Sequence, residues 1–160
     1  MSFSQWKKFR RWLSGEGQYR YRAWRSFVFH TAIFGRSFEN DWVRLEPDGF
    51  FTIKYGYAWN GCSPTWLLFR WIYIGTPDGP YNPATWLPIT GLASMLHDAL
   101  EQFHVELAIT HAESAAEFCR ELRTTGWWAA NIYCQAVRKF GPQDPDDDRN
   151  SIDYPSDYRQ

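Results

Sequence analysis

The stretch Gly91-Leu-Ala-Ser-Met-Leu-His-Asp-Ala-Leu-Glu-Gln-Phe-His104 decides the fold class. Leu92, Met95, Leu96, Ala99, Leu100 and Phe103 recur at intervals of three and four, the apolar stripe of a single helix over residues 91–104. Downstream, Thr110-His-Ala-Glu113 has the spacing of a capping box, in which a Thr hydroxyl and a Glu carboxylate each satisfy an orphan backbone donor. The helix it starts carries Ala115, Phe118 and Leu122 inward and stops before Gly126. A third helix, Trp128–Phe140, places Ala129, Ile132, Tyr133, Ala136, Val137 and Phe140 inward and is closed by Gly141-Pro142.

Upstream the period changes to two. Tyr19–Trp24 alternates, Ser26–Phe34 is rich in β-formers, and Trp42–Leu45 and Phe50–Tyr55 flank the turn signal Pro47-Asp48-Gly49. Gly56–Pro88 reads as an irregular stretch, punctuated by Asn60-Gly61, Ser63-Pro64, Pro77-Asp78-Gly79-Pro80 and Asn82-Pro83, with one aromatic segment, Thr65–Ile74, between them. Strands followed by helices predict an α+β fold: an antiparallel sheet from the N-terminal half packed against about three C-terminal helices, as one domain over residues 15–141.

Two flanking segments differ in character. Over residues 1–14, Phe3, Trp6, Phe9 and Leu13 interleave with Lys7, Lys8, Arg10 and Arg11, the pattern of a basic amphipathic helix. Such a helix caps the core or docks on a membrane surface, a nucleic acid or a protein partner. Residues 142–160 read as a flexible acidic tail opening with Asp144-Pro-Asp-Asp-Asp148.

Composition narrows the class. With 44% hydrophobic and 22% charged residues, the 160-residue chain is outside the disordered range and buries a real core. Aromatics reach 19%, which means an aromatic core or flat rings offered to a ligand. Residues 1–40 carry a net charge of +6 and the remainder −7, so the amino-terminal part suits an anionic partner or is a solvated basic face. The apolar runs are far below the roughly 20 residues of a membrane span, and no signal-peptide pattern opens the chain. Cys62, Cys119 and Cys134 are an odd number without CxxC spacing, which favours neither a disulfide framework nor a thiolate zinc site. The expected compartment is the cytoplasm.

The candidate chemistry centres on His97-Asp98. Neighbours on a helix do not face each other, so each needs partners from elsewhere: His97 for proton transfer near neutral pH, Asp98 to accept from a loop. The natural partner is the turn Tyr57-Ala-Trp-Asn-Gly-Cys-Ser-Pro64, where Asn60 and Ser63 exchange hydrogen bonds and Gly61 brings backbone N–H groups to an anion. Trp59 offers a stacking face and Tyr57 a further aromatic contact, while Arg20 and Arg22 share a strand face with Trp24 in a pattern suited to an anionic aromatic ligand. The competing reading is a polar latch, with Asp98 satisfying loop donors and His97 making a structural hydrogen bond. His97, Glu101 and His104 share one side of the first helix, either as ligands for a divalent cation or as its wet face. His111 continues the seven-residue spacing, but the capping box is expected to start a new helix there and take it out of the set. No phosphate-loop, dinucleotide, zinc-protease or nucleophile-elbow signature is present, and no cofactor or specific nucleic-acid motif is called for.

Three segments in order carry a resemblance: Phe51-Thr-Ile-Lys-Tyr-Gly-Tyr-Ala-Trp-Asn-Gly-Cys-Ser-Pro64, Ala93-Ser-Met-Leu-His-Asp-Ala-Leu100 and Tyr133-Cys-Gln-Ala-Val-Arg-Lys-Phe-Gly141. Together they resemble domain of unknown function 1353, small proteins of bacteriophages and prophages, over about residues 40–141. Gly61, Ser63, His97 and Asp98 match that family's pattern, whereas Asn60 stands in place of an Asp and Glu101 in place of a Tyr. The resemblance implies a phage-encoded cytoplasmic or virion-associated protein and supplies no reaction.

Two functions follow as expectations. In the first, a nucleotide-type small molecule, in a phage setting a host cyclic-nucleotide signal, binds at Trp59, Gly61, Tyr57, Arg20 and Arg22. It is then sequestered, or cleaved without metal by His97, Asp98, Asn60 and Ser63. In the second, the chain is a virion assembly protein and the same residues are a structural latch. Exposed aromatics would also suit a homo-oligomer.

Overall fold

The computed structural model describes residues 21–61, 65–68, 72–75, 79–82, 85 and 87–141, for 65–68 and 72–75 the backbone. The amino-terminal helix expected over 1–14 and the tail expected over 142–160 lie outside these residues, as do Arg20 and Ser63. Strands fill the first half: β1 (Tyr21–Arg22), β2 (Phe27–His30), β3 (Phe38–Glu39), β4 (Val43–Leu45), β5 (Phe50–Ile53), β6 (Ala58–Trp59), β7 (Thr65–Leu68), β8 (Ile72–Gly75), β9 (Tyr81–Asn82) and β10 (Leu87–Pro88). Three helices follow among the described residues: α1 (Gly91–Gln102), α2 (His111–Thr124) and α3 (Ala130–Phe140). The arrangement is the α+β fold that the change of period predicts.

The sheet that carries the core is antiparallel in the order β2-β5-β4-β3. Phe29 and Leu45 both oppose Phe51, and Phe27 and Val43 both oppose Ile53, so period-two side chains from three strands meet on one face. Val28, His30 and Arg44 alternate to the exposed face. The Pro47-Asp48-Gly49 turn closes the β4–β5 hairpin, with the Gly49 N–H donating to the Glu46 carbonyl at 2.9 Å. Gly49 takes φ +89°, and an added Cβ would lie 2.6 Å from the Thr31 carbonyl oxygen, so glycine is required there.

Of the expected strand Tyr19–Trp24, Ala23 and Trp24 lie outside any strand. Among the described residues only Tyr21–Arg22 is strand, and it joins β6 with Tyr21 opposite Trp59. The ladder is prolonged by hydrogen bonds from Ala23 N–H to the Tyr57 carbonyl and from Gly56 N–H to the Ala23 carbonyl, after which the chain bends into β2. The stretch Gly56–Pro88 is more regular than its turn residues suggest: β7 and β8 form an antiparallel hairpin, and β9 and β10 a second pair. Trp66-Leu-Leu68 and Ile72-Tyr-Ile74 are short apolar runs without alternation, which periodicity alone does not assign to a strand.

Helix α1 is the shared wall of two cores. Met95, Leu96, Ala99, Leu100 and Phe103 enter the sheet core with Phe27, Phe29, Val43, Leu45, Phe51, Ile53, Tyr57 and Trp59. Ala93 faces the other way, into a cluster with Phe118, Cys119 and Leu122 of α2 and Ala129, Ala130, Tyr133 and Cys134 from α3 and its approach. The capping box of α2 is present: Glu113 N–H donates to Thr110 Oγ1 at 3.1 Å, and Thr110 N–H donates to Glu113 Oε2 at 2.8 Å. Burial pushes the Glu113 carboxyl up, but these Thr110 donors and Arg36 outweigh it and hold the group below its ordinary value. Helix α3 is rotated from its expected setting. Tyr133 is buried, but Ile132 and Phe140 are exposed, because the small Ala129, Ala130 and Cys134 form the contact with α2.

Helix α2 also closes the outer edge of β2. The buried Glu117 carboxylate accepts from the Ala32 N–H at 2.8 Å, and Arg120, paired with Glu117, donates to the His30 carbonyl. Replacing Glu117 by Ala strands a backbone donor and frees Arg120. The expected cost is about 1–3 kcal/mol of unfolding free energy, read by urea denaturation.

Candidate functional site: a histidine–carboxylate seam between the first two helices

Side chains four apart lie on one side of a helix, so His97 and Glu101 share a face of α1, and His104 follows in the turn just past its end. That face is opposite the apolar stripe, which predicts water, but α2 covers it. Glu101 is only 4% exposed, and a wet face is therefore not what these residues form.

Glu101 is the hub. Its Oε2 lies 2.5 Å from His111 Nδ1, and its Oε1 lies 3.6 Å from His97 Nε2, within ion-pair range but beyond a hydrogen bond. Glu101 Oε1 is accordingly buried without a hydrogen-bond partner among the described residues. His104 stands to one side: its Nδ1 is 2.8 Å from the Glu101 carbonyl oxygen, and its ring is 4.5 Å from that of His111. The expectation that the capping box removes His111 from the set is therefore overturned. The box does start a new helix, yet the turn over 103–110 folds α2 back along α1, so its first residue returns to Glu101. The seven-residue spacing of His97, His104 and His111 was the signal that pointed there.

His97 lies between two carboxylates. Asp98 Oδ1 is 3.9 Å from His97 Nδ1, and the imidazole is 15% exposed, with its ring edge-on to Phe118 at 5.6 Å. Asp98 accepts a hydrogen bond from the Asn60 backbone N–H, so the loop partner expected from sequence is present. Dense packing holds the Asp98 carboxyl above its ordinary value, although its side chain keeps 34% of its surface. His97 and the Asn60 N–H pull it down, and the Glu101 charge pushes it up further. Gly61 follows with φ +82° and is buried. Only glycine turns there without strain, which carries the chain past Asp98.

Other predicted residues are placed differently. Trp59 is 1% exposed, and its ring stacks on Tyr21 with centroids 5.4 Å apart, so its faces belong to the core and not to a ligand. Its Nε1 is buried without a partner among the described residues. Tyr57 is buried too and donates its hydroxyl to Gln102 Oε1 at 3.1 Å. Period two explains both, since inward residues 57 and 59 alternate with outward Ala58 and Asn60. Arg22 is exposed on the outer side with Trp24 and donates to the Gly56 carbonyl at 3.3 Å. Among the described residues no group of three or more His, Cys, Asp or Glu side chains is arranged to hold a metal ion. In the proposed set His97, Glu101 and His104, the His104 Nδ1 is engaged by a backbone carbonyl. No helix among the described residues is long and apolar enough to cross a membrane.

Compared with family models, curated proteins and solved structures, the chain matches none.

The close link of the seam is His111 to Glu101, while His97 stands 3.6 Å from the same carboxylate. Imidazole and carboxylate alternate from His111 through Glu101 to His97, and the exposed end lies beside a loop with backbone donors. The raised Asp98 carboxyl has a thermodynamic signature. The native state holds its proton above the unfolded value of about 3.9, so this group's contribution to stability is fully present in acid and is lost as pH rises through the raised value. Asp98→Asn removes that downward component, and the pH dependence of the urea midpoint, compared between the two proteins, reads it directly.

Proposed function

We propose that the chain handles a nucleotide-type small molecule at the junction of α1 and the Asn60-Gly61 turn, and acts on its phosphodiester by acid–base chemistry. The observation that carries this reading is the His97 imidazole: partly exposed, flanked by Asp98 and Glu101, and backed by His111 through Glu101. In the proposed reaction His97 accepts a proton from the attacking water, and the water oxygen bonds to phosphorus. As the P–O bond to the ester oxygen breaks, that oxygen takes the proton back from His97, giving a phosphomonoester and an alcohol. Asp98 positions the turn and Glu101 orients the imidazole. Asn60, with Ser63 beyond the described residues, would hold the ligand alongside Gly61 N–H. With Trp59 and Tyr57 committed to the core, the base would rest against the exposed rims of the turn and Arg22. The phage setting implied by the resemblance, and the host cyclic-nucleotide signal that would suit such a setting, belong to this proposal.

A specific observation favours a second reading. Asp98 ties down the Asn60 N–H, and the aromatics beside that turn are buried, as in a structural latch of an assembly protein. One experiment separates them. The protein and its His97→Ala variant are assayed with cyclic mono- and dinucleotides, with and without EDTA, for thermal shift and products. The proposal expects EDTA-resistant cleavage that falls at least about 100-fold in a folded His97→Ala protein. A shift without products means sequestration. No response across the panel, with His97→Ala lowering the melting temperature, means the latch.

A further inference from the structure

At the opposite end of the α1–α2 pair from the imidazoles lies a cavity of about 170 Å³, room for some five or six waters. Thr85, Ile89, Leu92, Glu121, Thr124 and Thr125 are among the residues that line it. It brings together the start of α1, the β9–β10 pair and the last turn of α2.

The polar groups of the α2 turn are all acceptors. Thr124 Oγ1 donates to the Glu121 carbonyl and Thr125 Oγ1 to the Leu122 carbonyl, each at 2.7 Å, so both hydroxyls have spent their proton; Thr125 Oγ1 also accepts from the Trp127 N–H at 3.2 Å and keeps one lone pair. The last turn of a helix adds carbonyl oxygens and the negative end of its dipole. Glu121 supplies a full charge. The other acids of α2 are engaged, Glu113 with Thr110 and Arg36 and Glu117 with Ala32 and Arg120. The Glu121 carboxylate has no hydrogen bond or ion pair among the described residues. The nearest cations are turned elsewhere, Arg120 to Glu117 and the His30 carbonyl, and Arg123 to Asn131. Burial, with the Glu117 charge, pushes the Glu121 carboxyl above its ordinary value against the pull of Arg120. The carboxylate has no ion-pair partner among the described residues, only the charge of Arg120 acting from further off, and the cavity beside it has the size of a small group.

From the cavity, the acceptors on its α2 side and the unpaired Glu121 carboxylate, we propose a binding site for a primary ammonium group, carried by a small alkylamine; the Asn82 amide and the Thr85 hydroxyl also line the cavity. Its three N–H donors match the Glu121 carboxylate and the Thr124 and Thr125 oxygens, while Ile89 and Leu92 receive the alkyl part. The site is independent of the His97 seam and holds whether or not that seam is catalytic.

The test is an NMR titration of the full chain with n-butylammonium, with tetramethylammonium as a cation of equal charge that has no N–H donor. Saturable shifts are expected at the amides of Ala93, Thr124 and Thr125 with n-butylammonium alone, with a dissociation constant on the order of 1 mM. Glu121→Gln, which keeps the side-chain shape, should weaken binding at least about tenfold, and Thr124→Val should weaken it less. No saturable shift, the same response to tetramethylammonium, or undiminished binding by a folded Glu121→Gln protein each overturns the proposal.

Discussion

A helix buried on two sides has no face left for water. The twelve-residue α1 meets the sheet core with one side and α2 with the other, and eight of its residues are buried. The polar side chains it carries must therefore find partners in protein or leave charge unsatisfied, since stranding a buried polar group costs about 1–3 kcal/mol. Ser94 turns back on its own helix to the Gly91 carbonyl, Glu101 takes His111, and Asp98 takes a loop amide. Each solution fixes a neighbouring element: Glu101 sets where α2 begins relative to α1, and Asp98 sets the path of the chain after β6.

This arrangement explains why acid–base groups collect at one end of the α1–α2 pair and acceptors at the other. The chain reverses after α1, so the first residue of α2 returns to the last turns of α1 while the last turn of α2 lies beside its start. The capping box secures the start of α2 at His111, the residue that meets Glu101. The core holds few polar compromises beyond these: Trp59 Nε1, Glu101 Oε1 and Ser114 Oγ are the side-chain atoms buried without a partner among the described residues. One of the three belongs to the seam.

Much of the fold could be read from residues. Three helices, their order, the capping box and the Pro47-Asp48-Gly49 hairpin follow from periods and caps, because each is a local rule written in a few side chains. The site was legible in part. That Asp98 needs a loop partner, and that the Asn60 turn supplies it, follows from helix geometry and turn chemistry. What could not be read was depth. Helix period says that Glu101 lies opposite the apolar stripe but not that α2 covers it. An aromatic in a turn motif looks available until β1 pairs with β6 and stacks Tyr21 on Trp59. His111 was set aside by a correct local argument, since a new helix does begin there; the direction of that helix is a tertiary fact.

The contact of α2 with the outer edge of β2 has a consequence for how the molecule meets its own kind. An edge strand with free amide and carbonyl groups is a template on which another chain can add a strand, and repeated addition builds a fibre. Glu117 and Arg120 occupy the Ala32 N–H and the His30 carbonyl, so two of the groups that an incoming strand would need at the end of β2 are already taken. Pairing would first require α2 to lift away and expose the cluster around Phe118 and Leu122. The same two side chains that anchor a helix thus act as a guard against self-templating, and the barrier to aggregation is tied to the stability of the helical half.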